Sequence, residues 1–172
     1  SIDLLLEWGL LVKDDLNEVP EFKPDKVEFQ RVIEFKENIF KKAFEHFKNS
    51  SWNRDEFNRF RDLNRWWLDD YALFMALKEF NDGKPWFMWD DEIKGREPDA
   101  MELYKEELKD SIEYQRFLQY LVYRQWFNLK KYANEKDIKI IGDIPIFVSH
   151  DSADVWANKH LFFLDEAPTS LR

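Results

Sequence analysis

Residues able to do chemistry are concentrated between positions 143 and 154. Six polar side chains of catalytic or ligand-binding type lie within these twelve positions, namely Asp143, Ser149, His150, Asp151, Ser152 and Asp154. Asp143 lies within a run rich in β-branched residues, 138–148, and the other five follow it; this run predicts a strand buried on both faces. In proteins built from βα repeats the carboxyl ends of strands face the active site, so Asp143 is expected near it. Its carboxylate can accept hydrogen bonds from a polyhydroxylated substrate or hold a neighbouring arginine.

Helix capping is a well-supported alternative role for this cluster, whereas a nucleophile, a phosphate-binding loop and a metal site are poorly supported. Asp151 or Ser152 suits the N-cap of a short helix over residues 153–156. Ser149 and Ser152 lack the Gly-x-Ser-x-Gly setting of a hydrolase nucleophile, and four scattered glycines form no phosphate-binding loop. A metal site needs several ligands gathered in space, and the chain has no cysteine and only three histidines, His46, His150 and His160. We therefore expect no metal.

Acidic pairs and aromatic residues are the remaining candidates. Asp69-Asp70 is expected by chance in a chain with 35 acidic residues. On a helix these two side chains point in different directions, so a solvated face or an ion pair with Arg65 is the simpler interpretation. Large aromatics at helical spacing usually belong to the core. Trp86 and Trp89 lie outside a regular helical pattern, and their flat rings could stack on sugar rings.

Composition limits the class of protein. The 172 residues include 26 Lys+Arg and 35 Asp+Glu, so 26 − 35 gives a formal charge of −9, and 44% of the residues are hydrophobic. These values indicate a soluble globular protein, and the negative charge argues against binding nucleic acid. No stretch is long and apolar enough to cross a membrane. The absence of cysteine excludes disulfides, and a cytoplasmic location is expected.

The elements that must position the cluster are predicted to be mainly helices. Apolar residues recur every three or four positions from about 25 to 49, which predicts an amphipathic helix. A second helix is expected after Ser51 or Asn53, and a separate, nearly all-apolar third helix over 66–80 is expected to be buried on most sides. Asn81-Asp82-Gly83 should end that helix. A fourth pattern runs without interruption from Asp99 to about Glu135. The strand at 138–148 has no partner in the chain, so the chain is either mostly helical or part of something larger.

Several stretches of this sequence resemble one enzyme family closely. The specific ones are IGDIPIFV (141–148), DSADVWAN (151–158) and the preceding helix with RQW at 124–126; WLDDYALFMALK (67–78) and PWFMW (85–89) agree more loosely. Together they resemble the amylomaltases, the 4-alpha-glucanotransferases or disproportionating enzymes of glycoside hydrolase family 77. The resemblance covers nearly the whole chain.

The resemblance implies a fold of the α/β class, a (β/α)₈ TIM barrel with a helical insertion. The chain itself would be predominantly α-helical with one strand near 138–148. Residues 1–110 would form the helical insertion, and residues 111–172 a barrel helix, the third barrel strand and the following loop. The last residues, 166–172, depart from the family pattern, and a truncation or a change of reading frame near Glu166 would explain this.

The resemblance also implies a reaction, a retaining transfer of α-1,4-glucan segments between maltooligosaccharides without a cofactor. Asp143 matches a carboxylate that lines the substrate cleft. The family's nucleophile, acid/base residue and third aspartate match nothing here, so no catalytic residue is assigned and the chain alone is expected to be inactive. Expected partners are α-1,4-glucan and the remainder of the barrel. The alternative is a non-catalytic helical module that binds glucan through Trp86 and Trp89, or binds another protein.

Overall fold

The computed structural model describes residues 1–17 and 19–164, and the described part of the chain is helical. Its α-helices are α1 (Ile2–Glu7), α2 (Phe29–Lys48), α3 (Arg54–Phe80), α4 (Asp91–Gly95), α5 (Pro98–Glu107), α6 (Lys109–Glu135) and α7 (Ala153–Ala157). Three short 3₁₀ turns lie at Lys13–Leu16, Trp86–Met88 and Lys159–Leu161. The prediction of a predominantly α-helical chain is confirmed. The expected departure at 166–172 lies outside the described residues.

The chain divides into two compact units, Ser1–Phe57 and Asn58–Arg172. The boundary expected between residues 110 and 111 concerns the parent enzyme and stays a prediction; position 110 lies inside α6. In the first unit α2 buries Ile39, Ala43, Phe44 and Phe47. Their spacing of three and four positions places them on one face of the helix, as predicted. The rings of Phe47 and Phe57 meet edge to face with centroids 5.1 Å apart.

The two helices expected between residues 51 and 80 are one continuous helix, α3. No proline or glycine interrupts residues 54–80, so nothing in the backbone forces a break at Trp66. The expectation that residues 66–80 are buried on most sides is wrong at the start of that range, because Trp66 is 82% exposed. Its neighbours Leu68, Ala72 and Leu77 are buried. Every position from 68 to 78 is buried or partly buried, so the expectation holds for the middle of the range.

Residues Asn81-Asp82-Gly83 end α3 as predicted. Gly83 has a φ of 74°, and its amide donates to the carbonyl oxygen of Lys78 at 2.7 Å. This bond satisfies one of the carbonyl groups left unpaired at a helix end.

The continuous pattern expected from Asp99 to Glu135 is two helices in the structure, α5 and α6, which are joined at Leu108 with ψ of 19°. The apolar spacing carries no signal for that break.

A hydrophobic core packs several elements of the second unit together. Buried apolar residues of α3, α4, α5, α6 and α7 and of the 3₁₀ turn at Trp86–Met88 contribute to it. Trp156 of α7 is fully buried at its centre. Its indole nitrogen donates a hydrogen bond of 3.0 Å to the carbonyl oxygen of Ile93. The rings of Phe74 and Trp89 each lie 5.9 Å from it. The core therefore joins residues that are more than sixty positions apart in sequence.

The strand predicted at 138–148 is absent from the described chain, and that prediction is wrong for this chain. The segment is irregular, and its apolar side chains face solvent, with Ile141 93% exposed. A strand forms only where a neighbouring strand supplies hydrogen-bond partners. The described residues contain no such neighbour. The segment is therefore an irregular apolar stretch without strand pairing.

Within the two described stretches, 1–17 and 19–164, no helix combines the length and the apolar character that crossing a bilayer requires.

Candidate active-site segment

The candidate site is the segment 138–151, and its amino-terminal end is fixed by the end of α6. Asp137 adopts a left-handed φ of 57° just after the helix. The amide of Ile138 then donates to the carbonyl oxygen of Ala133 at 2.9 Å, and the amide of Asp137 donates to that of Asn134 at 3.0 Å. This pair of bonds is the Schellman arrangement that commonly closes a helix. It sets the direction in which the segment leaves α6.

Asp143 lies near the middle of the segment and is exposed. The amide of Ile144 donates to its Oδ1 at 2.9 Å. An ionised carboxylate has about four acceptor positions on its two oxygens. One local hydrogen bond therefore leaves most of its acceptor capacity directed to solvent, where hydroxyl groups of a ligand could use it.

Asp151 fixes the far end of the segment and does not cap α7. Its Oδ2 forms an ion pair with Lys78 Nζ from α3, and its Oδ1 accepts a hydrogen bond of 3.2 Å from the amide of Trp86. The cap comes from Ser152, whose Oγ accepts from the amide of Val155 at 3.3 Å. The capping interpretation is therefore confirmed for Ser152, while Asp151 connects the segment to α3 and to the turn at Trp86–Met88.

His150 is held by aromatic rings. The Phe87 ring stacks on it with centroids 4.9 Å apart and an interplanar angle of 9°, and Trp86 meets it edge to face at 5.6 Å. The carbonyl oxygen of His150 accepts a hydrogen bond of 2.7 Å from the indole nitrogen of Trp86. The stacked Phe87 ring covers one face of the imidazole, and the Trp86 indole engages the backbone carbonyl, while the residue as a whole stays exposed. Among the described residues, no group of three His, Asp or Glu side chains is gathered as a metal site would require.

Trp86 and Trp89, the two candidates for stacking on sugar rings, lie in the core. Their exposed fractions are 6% and 3%. The indole of Trp86 donates to His150, as described above, and that of Trp89 donates to the carbonyl oxygen of Lys84 at 2.9 Å. In this position neither ring has an exposed face for a sugar. Their role here is to support the turn and the segment beside it.

The acidic pair Asp69-Asp70 forms ion pairs, though not with Arg65. Asp69 pairs with Arg116 at 2.7 Å, and Asp70 pairs with Arg96 at 2.5 Å. Arg65 lies 3.6 Å from Asp62 instead. Successive side chains on an α-helix point about 100° apart, so the two carboxylates reach different arginines, and each joins α3 to another part of the second unit.

Positively charged side chains also lie near Trp86. The Nζ of Lys159 donates to the carbonyl oxygen of Lys94 and lies 5.2 Å from the centroid of the Trp86 ring. Burial lowers the pKa of Lys159, and the charges of Arg96 and Lys94 lower it further. Arg96 itself covers the ring of Trp156 at 4.2 Å. These cations therefore pack against the aromatic core and contribute to holding α7.

Burial also affects one tyrosine on α3. It raises the pKa of Tyr71, and a hydrogen bond from Gln119 opposes that effect. The amide nitrogen of Gln119 donates to the hydroxyl oxygen of Tyr71 at 3.1 Å. Burial is the larger of the two effects, so the pKa of Tyr71 lies above its ordinary value and the phenol is neutral at physiological pH.

Sequence reasoning missed Lys78 and Phe87 as residues that hold the segment. Lys78 is separated from Asp151 by 73 positions, and Phe87 is separated from His150 by a similar distance in sequence. Neither residue stands in a motif of its own. The available signal was the loose resemblance of two stretches to one family. Lys78 is the last residue of the stretch 67–78, and Phe87 is the middle residue of the stretch 85–89.

Comparison with known proteins gives consistent matches. A sequence model described as 4-alpha-glucanotransferase, glycoside hydrolase family 77, matches residues 2–168. The 4-alpha-glucanotransferases of Synechocystis and of Thermus thermophilus are 43% and 42% identical over 167 and 169 residues, which is 96% of this chain and 33% of each relative. An amylomaltase from Streptococcus agalactiae, solved in complex with acarbose, superposes with a TM-score of 0.90 at 38% identity. The superposition covers 96% of this chain and 34% of that one. The chain thus spans about a third of the length of these proteins.

Proposed function

The chain belongs to the 4-alpha-glucanotransferase family, glycoside hydrolase family 77, and from that premise we propose that it is a portion of an enzyme that transfers α-1,4-glucan segments between maltooligosaccharides. The observation that carries the proposal is the likeness in fold to an amylomaltase solved with acarbose. That protein is about three times as long as the matched part. The remaining two thirds would supply what this chain lacks.

The proposed reaction is a retaining double displacement in a (β/α)₈ barrel. A carboxylate attacks the anomeric carbon of the donor, the glycosidic bond breaks, and a second carboxyl group protonates the departing sugar oxygen. A hydroxyl of the acceptor sugar then displaces the enzyme carboxylate and returns its proton to the second group. Both carboxyl groups would come from outside this chain. No metal or organic cofactor takes part, and a cytoplasmic location is part of the proposal.

Within that enzyme Asp143 would line the substrate cleft. Its exposed carboxylate has acceptor capacity for sugar hydroxyls. Residues 138–148 would be a barrel strand, which accounts for their apolar composition, because strands of parallel sheets are covered on both faces. The exposed isoleucines at 141, 144 and 146 would be covered by neighbouring strands and helices of the rest of the enzyme.

The second candidate, a non-catalytic module that binds glucan or another protein, gains no support from the fold. Its sugar contacts were expected from Trp86 and Trp89, and both rings are buried with their indole nitrogens already donating to backbone carbonyls. A titration of the isolated chain with maltooligosaccharides, followed by tryptophan fluorescence, would revive this candidate if it showed saturable quenching.

A graft tests the proposed function directly. The 167 residues of the Synechocystis relative that match this chain are replaced by the corresponding residues of this chain, giving what we call the graft. We expect the graft to convert maltotriose into shorter and longer oligosaccharides, measured by chromatography of the products. A graft that unfolds cooperatively but makes no transfer product would contradict the proposal.

A further inference from the structure

Contacts among the described residues hold the segment that carries Asp143 at its two ends. Among the described residues, positions 139–149 make no backbone hydrogen bond to another element. Asp143 lies five positions after Ile138, which is tied to α6, and seven positions before His150. In the isolated chain these attachments position the segment, and in the whole enzyme the attachment at its carboxyl end would act together with the neighbouring barrel strands. That attachment begins seven positions after Asp143 and therefore contributes to where the carboxylate of Asp143 lies.

The attachment at the carboxyl end is the stronger of the two, and we call it the anchor. It consists of the ion pair of Lys78 with Asp151, the two hydrogen bonds that Trp86 makes to Asp151 and to His150, and the stacking of Phe87 on His150. Lys78 and Trp86 belong to the well-packed part of the second unit. Their contacts are directional, since they combine charge-assisted hydrogen bonds with a stacked ring.

We propose that Lys78 is a positioning residue for the glucan-transfer reaction, because it holds the carboxylate of Asp151 in the orientation that fixes the carboxyl end of the Asp143 segment. This inference rests on the proposed function. Lys78 neither touches Asp143 nor has any role in the chemistry. Without the ammonium group, Asp151 keeps only the amide of Trp86 as a partner, and its half-buried carboxylate turns toward water.

The kinetic test uses the Lys78→Met graft. We expect kcat/KM for maltotriose to fall about tenfold, mainly through a higher KM, because the cleft residue that binds substrate is displaced while the reacting groups remain in place. The Lys78→Arg graft keeps the charge and should recover most of the loss. The control is the Arg116→Met graft, which breaks the Arg116–Asp69 ion pair to the same helix far from the segment. It should lower the melting temperature by a similar amount and leave kcat/KM within about twofold.

A second readout does not depend on activity. In the isolated chain, hydrogen exchange of the Trp86 amide, which donates to the carboxylate of Asp151, should become severalfold faster in Lys78→Met and remain unchanged in Arg116→Met. Unchanged exchange in Lys78→Met overturns the inference, and so does a kcat/KM equal to that of the unmodified graft. An unmodified graft without activity overturns the proposed function instead, and the exchange data then still decide whether Lys78 orders the segment.

Discussion

Replacing Trp156 with alanine is expected to lower the free energy of unfolding of the second unit by about 3–5 kcal/mol, the range for removing a large aromatic residue from a core. The side chain is completely buried and packs against Phe74 and Trp89. Its removal leaves a cavity where three rings now meet. It also leaves the carbonyl oxygen of Ile93 without the indole donor that satisfies it.

Urea unfolding followed by far-ultraviolet circular dichroism measures this effect without relying on tryptophan emission. The matched control is Trp66→Ala, because Trp66 is the same residue type but faces solvent on α3, and its replacement should change stability by no more than about 0.5 kcal/mol. Trp156→Phe keeps a ring and loses the indole donor, and it should cost an intermediate amount. Equal losses from Trp156→Ala and Trp66→Ala would show that Trp156 does not organise the core.

Replacing Asp143 with alanine in the graft is expected to lower kcat/KM for maltotriose about 100-fold, the effect of losing one or two hydrogen bonds between a carboxylate and sugar hydroxyls. The carboxylate is exposed and makes one hydrogen bond, to the neighbouring amide of Ile144. Its removal should therefore change the stability of this chain little. A large kinetic loss with little change in melting temperature is the expected pattern.

Two further variants sharpen this test. Asp143→Asn keeps one acceptor oxygen and loses the charge, so its kcat/KM should lie between those of the unmodified graft and Asp143→Ala. Asp99→Ala removes an exposed aspartate from the first turn of α5 and should leave kcat/KM unchanged. If Asp143→Ala retained more than a third of the activity, Asp143 would not line the substrate cleft.

Local patterns were sufficient for the helices because helices are stabilised by contacts between near neighbours. The buried residues of α2 follow a spacing that the sequence displays, and Gly83 marks the end of α3. The errors occurred at helix boundaries that carry no proline or glycine. One is Trp66, where α3 simply continues, and the other is Leu108, where α5 ends without a glycine or proline. At these two positions tertiary packing, and not the local sequence, decides whether the helix continues.

The strand illustrates the opposite case. Residues 138–148 have the composition of a buried parallel strand, but a strand depends on partners that are distant in sequence. The described chain contains none, so the same residues are irregular and exposed. Composition indicated the environment that these residues favour, and it could not indicate whether the chain supplies that environment.

The candidate site was predictable to a similar extent. Asp143 and the cluster around it stand out because polar residues follow an apolar run. The contacts that hold the cluster could not be anticipated, because Lys78 and Trp86 reach Asp151 across more than sixty positions. The same reason explains why Trp86 and Trp89 looked available for sugars. Their partners in the core come from parts of the chain that no local pattern connects.

The central claim is that this chain carries a substrate-binding part of a glucanotransferase and none of its reacting carboxyl groups. The most direct measurement is the product pattern after incubating the purified 172-residue chain with maltotriose, with the graft as the positive control. We predict that maltotriose stays intact with the chain alone and is converted into shorter and longer oligosaccharides by the graft. Conversion of maltotriose by the chain alone would contradict the claim, because the nucleophile would then have to lie among these residues.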